Sequence, residues 1–538
     1  MAPDSSAGAD FARRVNVGDL LTRSAARAPR QEAVVDGERR YSYASFEAWC
    51  NRLAHGLLAR GYAPGDAVAL MAGNSAEFLA TYFACAKAGV VCVPINLFWR
   101  HGELAYVLRH AAVRGAVVAV DLIEQFATGL ELDLPLREVF VIGGRGAAPA
   151  AWPSGLACLP YEALHEGQAA HVPERPMQDR APLSYLYTSG TTSAPKGVVG
   201  SHLAIYLESL GTAIDTGMSG RDRALAMMPM FHTAQLNAIC TPVVAAGGAI
   251  LVMKGFDAQQ LLDLIEQERL TVLFGLPMMY RALVEAQRAR ARDVSSLRLA
   301  VYAMAPMPDQ DLRAAIDTFG CGFSLMFGQT EMSPVATFFR PEHQLSHPGA
   351  VGTPGTNVQV GIMDESGQLL PQGEAGEIVY RSPQALSGYL HDPQASDAAF
   401  RHGWFHSGDV GCFDADGVLW FKDRFKDVIK SGGENVASIE VEKALYECEP
   451  GIAEAVVVGL PHPRWTEAVT AVVLPRPGHR IDEAALMERL RARLSPYKCP
   501  KSFIVVDAMP KTATGKIQKA ALRAMYAGHY ASEGAPAS

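Results

Sequence analysis

Short valine-rich runs that alternate with helical periodicity constrain this chain more than any other feature. Ala67–Met71, Val90–Val93, Ala116–Val120 and Glu138–Ile142 are short apolar runs, most of them set off by glycine, proline or charged residues. Continuous apolar runs of this kind suit strands buried on both faces of a parallel sheet. Phe46, Cys50, Leu53 and Leu57 recur at helical spacing, and Gly61 with Pro64-Gly65-Asp66 ends that helix. Phe78, Tyr82 and Cys85 mark the next helix, with Asn74 and Glu77 as its cap and Gly89 as its stop. Strand, helix and strand at this interval predict βαβ units.

At 538 residues the chain exceeds one core and calls for at least two domains. Hydrophobic residues at 49% and charged residues at 19% supply a large interior, and a net charge of -8 argues against a general nucleic-acid binder. The 9 scattered cysteines form no C-x-x-C pair, which reads as reduced thiols in a cytoplasmic protein. One uncharged run, Thr233–Met253, has the length of a membrane span, but Pro242 and Gly247-Gly248 break it into helix, turn and strand. A transmembrane segment is therefore not expected, and only a weak peripheral membrane contact stays open.

The alternation resumes with strands at Ala224–Met228, Thr271–Phe274, Leu297–Ala303 and Gly322–Met326, and a helix at Ala258–Gln267. From Val358 to Tyr380 alternating residues with Gly and Pro turns predict a smaller β-rich unit. Beyond Asp423–Asp427 the pattern changes to helix (Glu440–Tyr446), two strands (Ala455–Leu460, Ala468–Leu474) and helix (Asp482–Leu494). The expected fold is α/β: a leader over residues 1–16, a large N-terminal domain of βαβ subdomains plus the β-rich unit over 17–424, a small mobile α+β domain over 425–531, and a tail over 532–538.

Between two of these strands lies Tyr187–His202, which packs hydroxyls, glycines, a proline and one lysine into a short loop. Thr188, Ser189, Thr191, Thr192 and Ser193 offer donors, Gly190 and Gly197 admit close backbone approach, and Lys196 adds a positive charge. That is a cradle for a polyphosphate, although a plain polar surface loop has the same composition. It is not the ordinary P-loop, because Lys196 precedes Gly197 and no hydroxyl follows. The order of residues closely resembles the phosphate loop of the adenylate-forming (ANL) superfamily: acyl-CoA synthetases, peptide-synthetase adenylation domains and luciferases.

Further motifs extend the resemblance from about residue 187 to 517. Phe327-Gly328-Gln329-Thr330-Glu331 offers an aromatic face, a glycine, a hydroxyl and a carboxylate, though Phe327 would serve equally as core and Glu331 as a helix start. The resemblance assigns Phe327, Gly328 and Gln329 to ATP, Thr330 to the α-phosphate and Glu331 to Mg²⁺. Trp404-Phe405-His406-Ser407-Gly408-Asp409 ends in what is otherwise a turn carboxylate. By resemblance Asp409 and Arg424 hold the ribose, and Lys426 is the interdomain hinge. Ser431, Gly432 and Gly433 form a glycine loop that in the family lines the channel for the pantetheine arm of CoA.

Lys516, in Lys511-Thr512-Ala513-Thr514-Gly515-Lys516, is by position an ordinary solvated lysine. The resemblance makes it the lysine that reaches the carboxylate and α-phosphate during adenylation. His232 follows a strand and a proline, and the family uses the matching histidine near the substrate carboxylate. With Gln235, Met304 and Ala305 it is assigned to the acyl group. Met304 stands in Ala303-Met304-Ala305-Pro306, where many relatives carry a glycine-rich segment.

The resemblance thus implies an ATP-dependent acid–thiol ligase using ATP, Mg²⁺ and CoA. A carboxylic acid is adenylated with loss of pyrophosphate, and a thiol then displaces AMP. Apolar segments at 227–240 and 301–307 point to a fatty or other bulky apolar acid. An acyl carrier protein as the thiol donor, or an enzyme confined mainly to the adenylation half-reaction, is the alternative.

Overall fold

The valine-rich runs become the spine of a seven-stranded sheet. Its order is Ala157–Pro160, Glu138–Ile142, Val113–Ala119, Ala67–Met71, Val91–Pro94, Pro182–Thr188, Lys196–Ser201. All neighbours are parallel except the last pair, a hairpin in which Thr188 lies opposite Lys196. Both faces are covered, as unbroken apolar strands require. On Ala67–Met71, Val68 and Leu70 enter one core cluster while Ala67, Ala69 and Met71 enter another. The computed structural model describes residues 11–131, 134–146, 148–150, 152–188, 195–304, 307–425, 427–432, 434–512 and 515–531.

A nine-stranded sheet is the second layer. Its parallel centre runs Glu32–Asp36, Ala249–Val252, Arg223–Ala226, Val272–Gly275, Leu299–Tyr302, Gly322–Gly328, with antiparallel edges at Arg39–Ser42, Val335–Phe339 and Thr353–Pro354. One apolar cluster joins Val68 and Leu70 of the first sheet to Val34, Ile250 and Phe274 of the second, through Phe46, Phe78, Ile205 and Val243 of the helices. Thr233–Met253 is almost wholly buried here, as short helical turns followed by strand Ala249–Val252. That occupancy accounts for its apolar character without a bilayer. No helix among the described residues is long and apolar enough to cross a membrane.

Helix Ala76–Ala88 stops at Gly89, whose φ of 74° suits a residue without a side chain. Its cap corrects the expectation from sequence. Ser75, not Asn74, accepts the Phe78 N–H, and Glu77 turns away to Arg39. The Asn74 amide instead donates to the carbonyls of Ala226, Met228 and Met253 at 3.2, 2.9 and 3.3 Å and accepts from the Met230 N–H at 2.9 Å. Four long-range bonds outweigh one local cap. They also fix the chain just before His232.

The β-rich unit is a four-stranded antiparallel sheet of Gln359–Met363, Gly376–Arg381, Phe405–Phe413 and Leu419–Arg424. The smaller C-terminal unit centres on the long hairpin Ile452–His462 and Thr466–Pro475, flanked by Ile429–Ser431, Glu434–Val436 and Ser502–Val505. Helices Ser438–Cys448 and Glu483–Arg491 cover one face through Val441, Leu445, Leu486 and Leu490. The overall class is the α/β architecture expected, with a large N-terminal part and a smaller C-terminal one.

Candidate active site

The C-terminal ends of the parallel strands are the usual place for a ligand in such a sheet, and in the nine-stranded sheet they deliver the candidate residues. Strand Arg223–Ala226 leads to His232, strand Leu299–Tyr302 to Met304, and strand Gly322–Gly328 to Thr330 and Glu331. Gly328 is required where it stands, because a Cβ there would run into the Pro334 carbonyl oxygen. Thr330–Met332 then forms a single 3₁₀ turn.

His232 caps the short helix Thr233–Gln235, its Nδ1 accepting the Ala234 N–H at 3.1 Å. Accepting there leaves the ring proton on Nε2. Burial of the ring, with the nearby Lys516 charge, lowers its pKa to about 4. The neutral imidazole is therefore the resident form, with Nε2–H as a donor.

Lys516 reaches this place from the other unit. Its N–H donates to Thr512 Oγ1 at 3.1 Å, and the neighbouring Gly515 passes so close to Leu276, at the head of helix Pro277–Ala289, that a Cβ would collide with it. Lys511 holds the same segment, donating to Glu454 at 2.6 Å and lying 3.9 Å from the Met278 sulfur.

Glu331 and Lys196 meet around a residue that sequence reading missed. Tyr389 donates its hydroxyl to Glu331 Oε1 at 3.0 Å, and the Lys196 ammonium lies 4.9 Å from its ring centroid. Only its place after Gly388 marks Tyr389 in sequence, and that signal carries no chemistry. Phe327 is half-buried with its ring 5.3 Å from that of Phe421, which joins it to strand Leu419–Arg424. On that sheet Asp409 lies opposite Arg424, with Oδ1 3.2 Å from Nε. An aromatic face and a carboxylate from the nine-stranded sheet and the turn after it, a carboxylate–guanidinium pair from the four-stranded sheet and an ammonium from the seven-stranded sheet thus make up the candidate set.

Other expected residues sit differently. Gln235 is fully buried, and its amide accepts the Met228 N–H at 3.0 Å and donates to the Leu225 carbonyl at 3.3 Å. Those bonds hold the strand end, so its polar atoms face the backbone instead of an acyl group. Met304 adopts φ 72°, the left-handed region that favours glycine. The Gln329 N–H donates to the Pro334 carbonyl at 2.9 Å. Ser431 is buried, and the Gly432 N–H donates to the Trp465 carbonyl at 2.8 Å. No hydrogen bond or ion pair among the described residues joins that loop to His232 or Glu331. Ser189, Gly190, Thr191, Thr192, Ser193, Ala305, Lys426 and Gly433 lie outside the described residues.

The donor set can be tested against the expected ion. Mg²⁺ commonly takes one or two carboxylates and completes its shell with water and substrate phosphates. Glu331 is half-buried, with one oxygen bonded to a phenol, and so fits that pattern.

Comparison with known proteins bears on the whole chain. The model of the AMP-binding enzyme family matches residues 21–390, and that of the AMP-binding enzyme C-terminal domain matches 440–516. A feruloyl-CoA synthase of Amycolatopsis is 36% identical, covering 95% of this chain and 99% of its own. An indoleacetate–CoA ligase of Aromatoleum aromaticum is 33% identical, covering 95% and 98%. Among solved structures, ATP-bound MatB from Rhodopseudomonas palustris superposes with a TM-score of 0.86 at 29% identity, covering 96% of this chain and 100% of that one.

Proposed function

The chain belongs to the AMP-binding enzyme family, and we propose that it adenylates a bulky apolar carboxylic acid, an aryl acid ahead of a long alkyl one, and passes the acyl group to CoA. It is an AMP-forming acyl-CoA synthetase in type, using ATP, Mg²⁺ and CoA. The observation that carries the residue-level reading is the convergence of Lys516 with neutral His232 at the strand ends. A carboxylate attacking the α-phosphate builds negative charge on the non-bridging oxygens, and an ammonium aimed there stabilises it. Nε2–H of His232 can hold the attacking carboxylate without competing for protons.

In this reading Phe327 backs the adenine and Asp409 with Arg424 takes the ribose hydroxyls. Thr330 bonds the α-phosphate, and Lys196 with the loop after Thr188 takes the β- and γ-phosphates. Mg²⁺ held by Glu331 would offset the negative charge of the phosphates. The Ser431–Gly432 loop is assigned to the thiol arm.

The preference for an aryl acid draws on the named substrates of the two relatives, with Met304, half-buried against the core where the resemblance expects a glycine-rich segment, as the residue that would narrow the acyl site. The test is pyrophosphate release across a panel of carboxylic acids, with CoA, with a carrier-protein pantetheine, and with neither. Release with aryl acids and thioester formation with CoA are expected. A preference for long-chain acids, or thioester formation only on the carrier protein, would overturn that part of the reading.

A further inference from the structure

Tyr389 stands between two opposite charges that the nucleotide reading needs. Its hydroxyl satisfies one oxygen of Glu331, and its ring face receives the Lys196 ammonium. The residue is held from behind. Its N–H donates to Ser396 Oγ at 2.8 Å, a backbone bridge pairs it with Val198, and the Leu390 N–H donates to the Gly197 carbonyl at 2.8 Å. The strand that delivers Lys196 and the loop that delivers Tyr389 are therefore one assembly. The Glu331 carbonyl is tied to the same loop by the Leu386 N–H at 2.7 Å.

Lys196 and Glu331 form no ion pair among the described residues. Glu331 is half-buried and Lys196 exposed, and opposite charges held against the same side chain attract one another. A direct pair would consume both, and it would have to break before either met a phosphate or a metal. A phenol avoids that outcome: its O–H binds the carboxylate from one end, and its π face binds the ammonium. Phenylalanine would keep only the second contact, and leucine neither.

We propose that Tyr389 is a positioning residue of the nucleotide site, aiming Glu331 as a metal ligand and parking Lys196 on its ring so that the two charges stay apart until magnesium–nucleotide takes both. The inference rests on the nucleotide site assigned above. Its test reads binding: the affinity for a fluorescent ATP analogue, by anisotropy, with and without Mg²⁺. Tyr389→Phe is expected to leave metal-free affinity within about twofold of wild type, and to cut the gain produced by Mg²⁺ by about tenfold, the size of a hydrogen bond to a charged group. Tyr389→Leu is expected to lose metal-free affinity as well, because Lys196 then closes on Glu331. In a Glu331→Gln background the Tyr389→Phe change is expected to add nothing, since the two act through one contact.

A Tyr389→Phe protein with the full wild-type gain from Mg²⁺ would overturn the proposal. So would a loss that persists undiminished in the Glu331→Gln background. Failure of the wild type to bind the analogue at all would remove the nucleotide site itself and the proposal with it, which separates the two cases.

Discussion

Buried histidines give this protein a readable acid limit. His202 is fully buried, its Nδ1 accepts the Val17 N–H at 3.2 Å, and burial lowers its pKa to about 3. His232 is lowered to about 4. Both are neutral when folded, and both regain an ordinary pKa near 6.5 when unfolded. The unfolded chain therefore binds protons first as the pH falls. The stability these rings contribute is whole above pH 6.5 and is lost as the pH drops toward 4 and 3, at about 1.4 kcal/mol per pH unit for each ring. His202→Asn keeps an acceptor for Val17 and cannot titrate, so urea melts between pH 7 and 4.5 should show a shallower decline than wild type. An unchanged slope would place the acid sensitivity elsewhere. Candidate residues could be picked out where several functional groups sit in a short run, as with Phe327 through Glu331, Asp409 and Lys516. Tyr389 was not legible, because its meaning comes from Glu331, 58 residues away.

Elements were legible where apolar runs had hard stops. Ala67–Met71 and Glu138–Ile142 form as read. Ala224–Met228 became Arg223–Ala226, because the Met228 N–H turns to Gln235 Oε1 instead of a neighbouring strand. The wide π turn at Leu236–Cys240 was not foreseen. Pro242, one turn on, has no N–H to return to the residue 238 carbonyl, and Thr241 Oγ1 bonds the Asn237 carbonyl instead. Strand Gly322–Gly328 offers the sharpest test at this scale. At Gly328 the atoms an added Cβ would meet are the backbone of Pro334 and Ala336, which cannot swing aside. Gly328→Ala should lower stability by about 1–3 kcal/mol in a thermal melt, and should weaken ATP binding in the fraction that folds. A variant with wild-type melting and affinity would show that the close approach does not matter.

At the scale of the molecule, a large N-terminal part and a smaller C-terminal one were expected from the change of pattern along the chain, but the seating of one on the other was not. It depends on pairs far apart in sequence. Asp311 receives Arg281 at 2.8 Å and Arg476 at 3.4 Å, Arg281 donates to the Ala453 carbonyl at 3.4 Å, and Lys443 donates to the Pro348 carbonyl at 3.0 Å. This seating brings Lys516 beside His232 while the Gly432 loop packs on Trp465. The account assigns that arrangement to acid activation and requires Lys516 for that step alone. The most direct measurement compares two half-reactions in Lys516→Ala: acid-dependent ATP–pyrophosphate exchange, and thioester formation from a preformed acyl-adenylate and CoA. The account predicts that exchange falls to background while ATP affinity and thioester formation stay within a few-fold of wild type. Exchange at the wild-type rate, or equal loss of both half-reactions, would contradict it.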